Sequence, residues 1–324
     1  MSSDLLQVTN LNTNFKTENG NFSAIKNINL SINEGQVVCV VGESGSGKSI
    51  TSLSIMSLLP PNGEVTSGEV ILKNKNILHM NEKELLKVRG KSISMIFQDP
   101  MSSLDPVFTC GSQIVETILI HQNITKKEAK HKAIYLLEKM QITRPETVYN
   151  SYPHELSGGM CQRVMIAMSL SCDPDILIAD EPTTALDVTV QAEILNLLKS
   201  LKDDLGMGIL LVTHDLGVVA EMADQVVVMY AGQIVEEGDS TAIFYDSRHP
   251  YTKGLIRSVP RLERTVERLN SIEGSIPGID SMPTGCRFHP RCPLATDICS
   301  EKEPKLETIN GNRSVRCWHA DKEV

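Results

Sequence analysis

The sequence lacks long apolar runs, an excess of basic residues and a leader-like start, and each absence argues against a class of protein. The longest apolar stretches, such as Ile209 to Val212, are far shorter than the roughly 20 residues that a membrane-spanning helix needs. The net charge of -9 argues against a nucleic-acid coat protein or a polybasic membrane anchor, so we expect no nucleic-acid partner. The first ten residues, MSSDLLQVTN, contain neither a basic start nor an apolar run, which argues against a secretory signal. We therefore expect a soluble protein that associates with a membrane only through partners.

The composition divides the chain into a main domain and an appendage. Its 324 residues exceed one typical domain, and 41% of them are hydrophobic, which is enough for a sizeable core. Internal repeats are absent. From about Phe244 onward prolines become frequent and long apolar runs become rare. We therefore predict a main domain at residues 1–245 and a loop-rich extension at residues 246–324.

Apolar strands and helical segments alternate through the main domain. The segments with strand character are Leu6 to Val8, Ile28 to Ile32, Gln36 to Val41, Ile176 to Ala179, Ile209 to Val212 and Val226 to Met229. The segments with helical spacing are Lys126 to Met140, Val190 to Leu201 and Leu216 to Met222. This alternation predicts an α/β domain with a mostly parallel sheet.

A phosphate-binding loop is indicated directly after the strand that ends at Val41. The residues Gly42, Glu43, Ser44, Gly45, Ser46, Gly47, Lys48 and Ser49 fit the pattern G-x-x-x-x-G-K-[ST], between a strand and a helix as the motif requires. Glycines let backbone N–H groups surround phosphate oxygens, and the helix N-terminus adds its positive dipole end. Lys48 is expected to reach the β- and γ-phosphates of ATP, and the Ser49 hydroxyl to bind Mg²⁺.

Polar residues at the ends of apolar strands are the candidates for binding Mg²⁺, activating the attacking water and contacting the γ-phosphate. Asp180 ends an apolar strand and could hold Mg²⁺ through water, while Glu181 could activate the attacking water as general base. His214 follows another core strand and is placed to face the γ-phosphate. Gln98 ends the apolar run at Ile96 and could contact Mg²⁺ or water. Taken alone, His214 and Gln98 are compatible with purely structural roles.

The segment Leu156-Ser157-Gly158-Gly159-Met160-Cys161-Gln162-Arg163 resembles the signature loop of the ABC ATPase family. With it the phosphate loop, Gln98 (Q-loop), the acidic pair, Ala185-Leu186-Asp187 (D-loop) and His214 (switch histidine) follow the order of that family. The resemblance implies a P-loop NTPase fold: an α/β ABC nucleotide-binding domain with a RecA-like core, an antiparallel β subdomain and a helical subdomain at about residues 99–160.

The resemblance also implies that the active site needs a second ATPase subunit. By this resemblance, Ser157, Gly158 and Gly159 begin a helix whose N-terminus faces the ATP held by the partner subunit. Two chains packed head to tail then enclose two ATP molecules. Phe15 is the candidate to stack on adenine, with Phe22 as the alternative. Met160 departs from the commonest family version, which has glutamine. Because the backbone and Ser157 make the phosphate contact, we expect activity to survive.

The extension resembles the C-terminal region of oligopeptide and dipeptide importer ATPases of the D type. The resemblance rests on His249-Pro250-Tyr251-Thr252, Ile276-Pro277-Gly278 and the run from Gly285 to Pro293. It implies a peripheral protein at the cytoplasmic face of the membrane, with a second ATPase that is expected to be a paralogue. The other expected partners are two transmembrane permease subunits and an extracytoplasmic solute-binding protein. Nickel or glutathione import is the alternative within this group.

Four of the eight cysteines lie in the extension, as Cys286, Cys292, Cys299 and Cys317 with the spacing C-x5-C-x6-C-x17-C. In a cytosolic ATPase they are expected to be free thiols or metal ligands rather than disulfides. Four thiolates can hold a [4Fe–4S] cluster or a zinc ion. The spacing lacks the short C-x2-C usual for zinc, and some dipeptide-importer ATPases with this pattern carry a cluster. An iron–sulfur cluster is therefore predicted. The alternatives are a zinc ion, for which His289 and His319 are possible substitute ligands, and no metal at all.

Two functions outside transport compete with this prediction. A soluble ABC ATPase of DNA repair or translation usually carries a long coiled-coil insert or two cassettes, and this chain has neither. A regulatory nucleotide-binding module without turnover would not need Glu181 and His214. The sequence therefore favours a transport ATPase that hydrolyses ATP.

Overall fold

The computed structural model describes residues 4–184, 186–258, 272–311 and 313–320. In these ranges the strands are β1 (Leu6–Thr17), β2 (Gly20–Ile32), β3 (Val37–Val41), β4 (Gly63–Leu72), β5 (Lys75–Asn76), β6 (Ile93–Ile96), β7 (Ile176–Asp180), β8 (Gly208–Thr213), β9 (Gln225–Tyr230), β10 (Gln233–Asp239), β11 (Glu307–Asn310) and β12 (Arg313–Val315). The helices are α1 (Lys48–Ile55), α2 (Glu82–Val88), α3 (Pro100–Ser103), α4 (Cys110–His121), α5 (Lys126–Lys139), α6 (Pro145–Asn150), α7 (Gly158–Ser169), α8 (Val188–Leu205), α9 (Leu216–Met222), α10 (Ser240–Asp246), α11 (Pro250–Arg257) and α12 (Asp297–Glu301). Short 3₁₀ turns lie at Ile77–His79, Pro153–Glu155 and His289–Arg291.

The alternation of strands and helices predicted from periodicity is confirmed. Helix α9 has the predicted bounds, and the core strands β3, β7, β8 and β9 lie within a residue of them. The first strand was underestimated, because β1 continues from Val8 to Thr17. Its buried residues there, Leu11 and Thr13, alternate with more exposed polar ones, so a search for apolar runs does not detect them.

The chain forms two compact units that interleave along the sequence. The first consists mainly of Ile32–Gln36 and His79–Leu211. Its strands β6 and β7 pair in parallel, with Ile93 opposite Ile176. Helices α4, α5, α6 and α7 pack against one another in this unit. Helix α5 buries the predicted face at Ala129, Ala133, Leu136 and Leu137, and a Thr125–Glu128 capping box starts it.

The second unit consists of Gln7–Ser31, Val37–Leu78 and the chain from Val212 onward. One of its sheets has the strand order β2-β1-β4-β5. In the other, β3 pairs in parallel with β9, and β9 pairs antiparallel with β10. Strand β3 is buried along its whole length, as expected for a central strand of a parallel sheet. The phosphate loop leaves the C-terminal end of this strand.

The extension belongs to the second unit rather than forming one of its own. Strand β12 pairs antiparallel with β10, with Val315 opposite Glu236, and β11 pairs with β12. The described part of the extension is otherwise loop-rich, as the sequence predicts. The domain boundary at residues 245 and 246 and the helical subdomain at about residues 99–160 stay predictions. In the part of the chain that the structure describes, no helix is long and apolar enough to cross a bilayer.

Candidate functional site: an ATP-binding cassette

The loop between β3 and α1 has the backbone that a phosphate cradle needs. Gly42 and Gly47 have φ angles of +154° and +102°, and Gly45 has +83°. A Cβ atom on Gly42 would collide with the Met229 carbonyl of β9, and one on Gly47 would lie 3.1 Å from Cα of Gly232. These two positions therefore require glycine, both for conformation and for space.

Two side chains of the loop suit a polyphosphate. Lys48 is 5% exposed, and its Nζ donates to the Gly42 carbonyl at 2.8 Å and to the Glu43 carbonyl at 3.1 Å. The ammonium group is therefore held across the loop. Ser46 Oγ is buried and makes no hydrogen bond to the described residues, so it can serve a bound ligand. The half-buried Ser49 is the second residue of α1, and Ser44 and Gly45 are exposed.

His214 lies beside the phosphate loop. It is exposed at the end of β8 and lines a cavity of about 300 Å³. The other lining residues include Gly42 and Glu43 of the loop and Asp215, which starts α9. Two sequence-predicted members of the site are thus brought together within the second unit.

The adenine candidate Phe15 lies on β1 and is partly buried. Its ring packs against Gly63, where an added Cβ would be 3.0 Å from the ring. Thr13, on the same face of β1, makes a 2.8 Å hydroxyl–hydroxyl hydrogen bond with Ser54 of α1. Strand β1 therefore runs beside the helix that the phosphate loop opens. Phe22, the alternative, is partly buried on β2, and neither assignment is tested by these contacts.

The acidic pair and Gln98 meet in the first unit. Asp180 ends β7 and is 5% exposed. Glu181 has a φ of +49°, a conformation that is uncommon for residues other than glycine. Gln98 Nε2 donates to Glu181 Oε2 at 3.2 Å, and Thr184 Oγ1 donates to the same oxygen at 2.8 Å. The Thr184 contact was not predicted, because a hydroxyl three residues downstream carries no sequence signal of its own.

The signature residues start helix α7 as predicted. Ser157 is the N-cap, and its hydroxyl accepts from the Met160 N–H at 3.4 Å. Ser157 and Gly158 are exposed, and no atom lies within 4 Å of a Cβ built on Gly158. A Cβ on Gly159 would lie 3.2 Å from the Val190 side chain of α8. The start of α7 thus presents N–H groups to solvent at a surface that a phosphate can approach.

In the predicted D-loop, Ala185 lies outside the described residues. Asp187 starts α8, and its Oδ1 accepts from the Val190 N–H at 3.0 Å. This contact fixes the start of the helix that follows the acidic pair.

The four C-terminal cysteines do not form a metal-binding group in this structure. Within the described ranges, no cluster of three or more His, Cys, Asp or Glu side chains is placed to hold a metal ion. Burial, and then the charges of neighbouring cysteines, raises the pKa of Cys286 and Cys317 to about 11 and also raises the pKa of Cys292. The predicted cluster finds no support in this geometry.

Two contacts to the phosphate loop come from the extension and were not predicted. Arg291 forms an ion pair with Glu43 at 2.7 Å, and the Tyr251 hydroxyl accepts from the Glu43 N–H at 2.8 Å. Both residues stand in motifs that the sequence singles out. Nothing in the sequence pairs them with Glu43, more than 200 positions away.

The loop, the acidic pair and the α/β units define a P-loop ATPase cassette. The model of the family described as "ABC transporter" matches residues 25–184, and that of "Oligopeptide/dipeptide transporter, C-terminal region" matches residues 235–299. The oligopeptide transport ATP-binding protein AppD of Bacillus subtilis is 49% identical, over 99% of this chain and 98% of its own length. The dipeptide transport ATP-binding protein DppD of Escherichia coli is 47% identical, over 97% and 96%. A dimeric post-hydrolysis structure of the ATP-binding cassette MJ0796 bound to ADP and Pi has a TM-score of 0.66, with 31% identity over 72% of this chain and 98% of that one.

The chain belongs to the ABC transporter family, and it is an ATP-binding, ATP-hydrolysing subunit of that family. The predicted fold class and the predicted resemblance, including the importer-type extension, are confirmed. The same matches favour the transport ATPase over a soluble ABC protein and over a module without turnover.

Proposed function

We propose that this chain powers the uptake of oligopeptides or dipeptides by hydrolysing ATP on behalf of partner permease subunits. The observation that carries the proposal is the near full-length match to importer ATPases, which includes the C-terminal region as well as the cassette. Closure of two cassettes on ATP is the step that would drive the permease to change its access, because ATP binds the closed state more tightly than the open one. The same matches support peptide import over the alternative of nickel or glutathione import.

Each motif has a separate role at the proposed ATP site. Backbone N–H groups of the phosphate loop, with Lys48, hold the phosphates. When bound, Mg²⁺ neutralises phosphate charge, and Ser49, Asp180 and Gln98 are the residues proposed to hold it. Glu181 takes a proton from the attacking water, and Gln98 and Thr184 orient its carboxylate. His214 contacts the γ-phosphate, and Phe15 stacks on adenine.

The proposed site is shared with a second ATPase subunit. Ser157, Gly158 and Gly159 bind the phosphates held by the partner, which their exposed position at the start of α7 allows. We propose that this partner is a paralogue. Two permease subunits, contacted near Gln98, and an external solute-binding protein complete the assembly at the cytoplasmic face of the membrane. The exposed apolar residues Met101, Val107 and Phe108 suit a protein contact there.

Uptake by the reconstituted assembly tests the proposed substrate. The chain, its partner ATPase and the permeases are placed in proteoliposomes with the solute-binding protein, and labelled dipeptides, a pentapeptide, glutathione and Ni²⁺ are compared. We expect ATP-dependent uptake of at least one peptide and peptide-stimulated phosphate release. Uptake of only Ni²⁺ or glutathione would replace the peptide proposal. Membrane association without the permeases would argue against the proposed assembly.

An iron–sulfur cluster at Cys286, Cys292, Cys299 and Cys317 remains a proposal, with zinc as the alternative. Its support is the four-cysteine spacing of the sequence, while the described positions of the sulfurs do not form a ligand set. Anaerobic purification with iron, sulfide and zinc analysis decides the matter. We expect about four irons per chain and a broad absorption band near 400 nm, typical of Cys-ligated clusters. One zinc and no colour would change the metal, and a metal-free protein would remove the site.

A further inference from the structure

The extension contacts the phosphate loop through a two-point ion pair. Arg291 donates from Nη1 to Glu43 Oε2 at 2.7 Å and from Nη2 to Glu43 Oε1 at 3.0 Å. The Arg291 side chain is 5% exposed and the Glu43 side chain 32% exposed. Geometry of this kind is stronger and more directional than that of an exposed surface pair.

The extension fixes the position of Arg291 from the other side. Its Nε donates to the Glu273 carbonyl at 2.8 Å, and Nη2 also donates to the carbonyls of Ile272 and Gly274 at 3.2 Å. The Arg291 guanidinium is charged at every physiological pH. The main chain of the extension therefore determines where this cation meets the loop.

A second contact reaches the main chain of the same loop residue. The Tyr251 hydroxyl accepts from the Glu43 N–H at 2.8 Å, and Tyr251 is fully buried. Its ring packs against Tyr230 at 4.7 Å and Phe288 at 5.4 Å between centroids. Tyr230 ends β9, the strand paired with β3, and Phe288 belongs to the extension. Glu43 is thus held at its backbone and at its side chain by residues outside the cassette motifs.

We propose that Arg291 and Tyr251 are positioning residues for the ATP site, acting through Glu43. The proposal rests on the proposed role of residues 42–49 in ATP binding. Tyr251 sets the first turn of the loop, and Arg291 neutralises a carboxylate that would otherwise repel the polyphosphate. The extension thereby contributes directly to nucleotide affinity, in addition to any metal that its cysteines hold.

Charge neutralisation predicts an effect that a second substitution reverses. In the purified full-length chain, Arg291→Gln leaves Glu43 uncompensated and is expected to weaken binding of a fluorescent ATP analogue about tenfold, or about 1.4 kcal/mol. Adding Glu43→Gln to that variant should restore most of the affinity. Tyr251→Phe, which removes the hydroxyl that accepts from the Glu43 N–H, should weaken binding about threefold. In the assembled ATPase, KM for ATP should rise while kcat changes little.

Two reference variants separate this effect from loss of fold or of the ATP site. Arg313→Gln breaks two other ion pairs of the extension, to Asp246 at 2.7 Å and to the buried Glu236 at 3.3 Å. It therefore reports on general loosening of the extension, and it should leave ATP affinity unchanged. Lys48→Ala reports on the ATP site itself. If Arg291→Gln binds ATP with wild-type affinity while Lys48→Ala does not, the positioning role alone is overturned. If both variants bind ATP with wild-type affinity, the ATP site itself is overturned. Failure of Glu43→Gln to relieve Arg291→Gln, or an equal loss in Arg313→Gln, would also overturn the positioning role.

Discussion

Replacing Glu181 by glutamine is expected to stop turnover at the site that contains it while leaving ATP binding intact. A glutamine has the shape of glutamate and keeps an oxygen that can accept from Gln98 and Thr184, which both donate to Glu181 Oε2. Only the proton-accepting carboxylate is lost. A general base contributes about 10²- to 10⁴-fold to rate, so phosphate release should fall by that factor. ATP should then trap the closed pair of cassettes.

Phosphate release, ATP binding and size-exclusion chromatography with MgATP measure the three parts of this expectation. Glu138→Gln is the matched control, since it removes an exposed carboxylate of α5 in the same unit. A paralogous partner with its own base would contribute residual turnover, so the partner's equivalent site must also be inactivated in the assembled complex. Wild-type turnover in Glu181→Gln would show that another group activates the water.

The predictable part of the site is the part encoded in short contiguous segments. Gly42 and Gly47 could be identified from sequence because the backbone conformation that they adopt has few alternatives to glycine. Asp180 and Glu181 could be identified because they end an apolar strand in a chain that also contains a phosphate loop. His214 could be placed beside Gly42 because parallel strands bring their C-terminal ends to one edge.

The unpredicted part consists of contacts between distant segments. The pairing of Arg291 with Glu43 depends on where the second unit places the 3₁₀ turn at His289–Arg291, 248 positions along the chain from Glu43. The extension looked separate because prolines interrupt its apolar pattern. Its strand β12 nevertheless pairs with β10, since an edge strand accepts a partner through backbone groups that any sequence provides. Backbone pairing of this kind has little sequence signal.

Replacing Lys48 by alanine is expected to remove ATP binding itself, which distinguishes it from the change at Glu181. The Lys48 ammonium donates to the Gly42 and Glu43 carbonyls and is buried, so it is already desolvated and held where phosphates would bind. Charge-assisted hydrogen bonds to phosphate are strong, and losing them should weaken ATP binding by about a hundredfold or more.

Titration with a fluorescent ATP analogue measures the effect of Lys48→Ala, and the thermal midpoint checks the fold. Lys26→Ala is the control, because Lys26 is a half-exposed lysine of the same unit. Its ammonium group pairs with Glu303 at 2.7 Å rather than with the phosphate loop. Retained affinity in Lys48→Ala would contradict the proposed ATP site at this loop. Lost ATP affinity in Lys48→Ala would assign ATP binding to the phosphate loop. Retained affinity with lost turnover in Glu181→Gln would assign hydrolysis to the acidic pair.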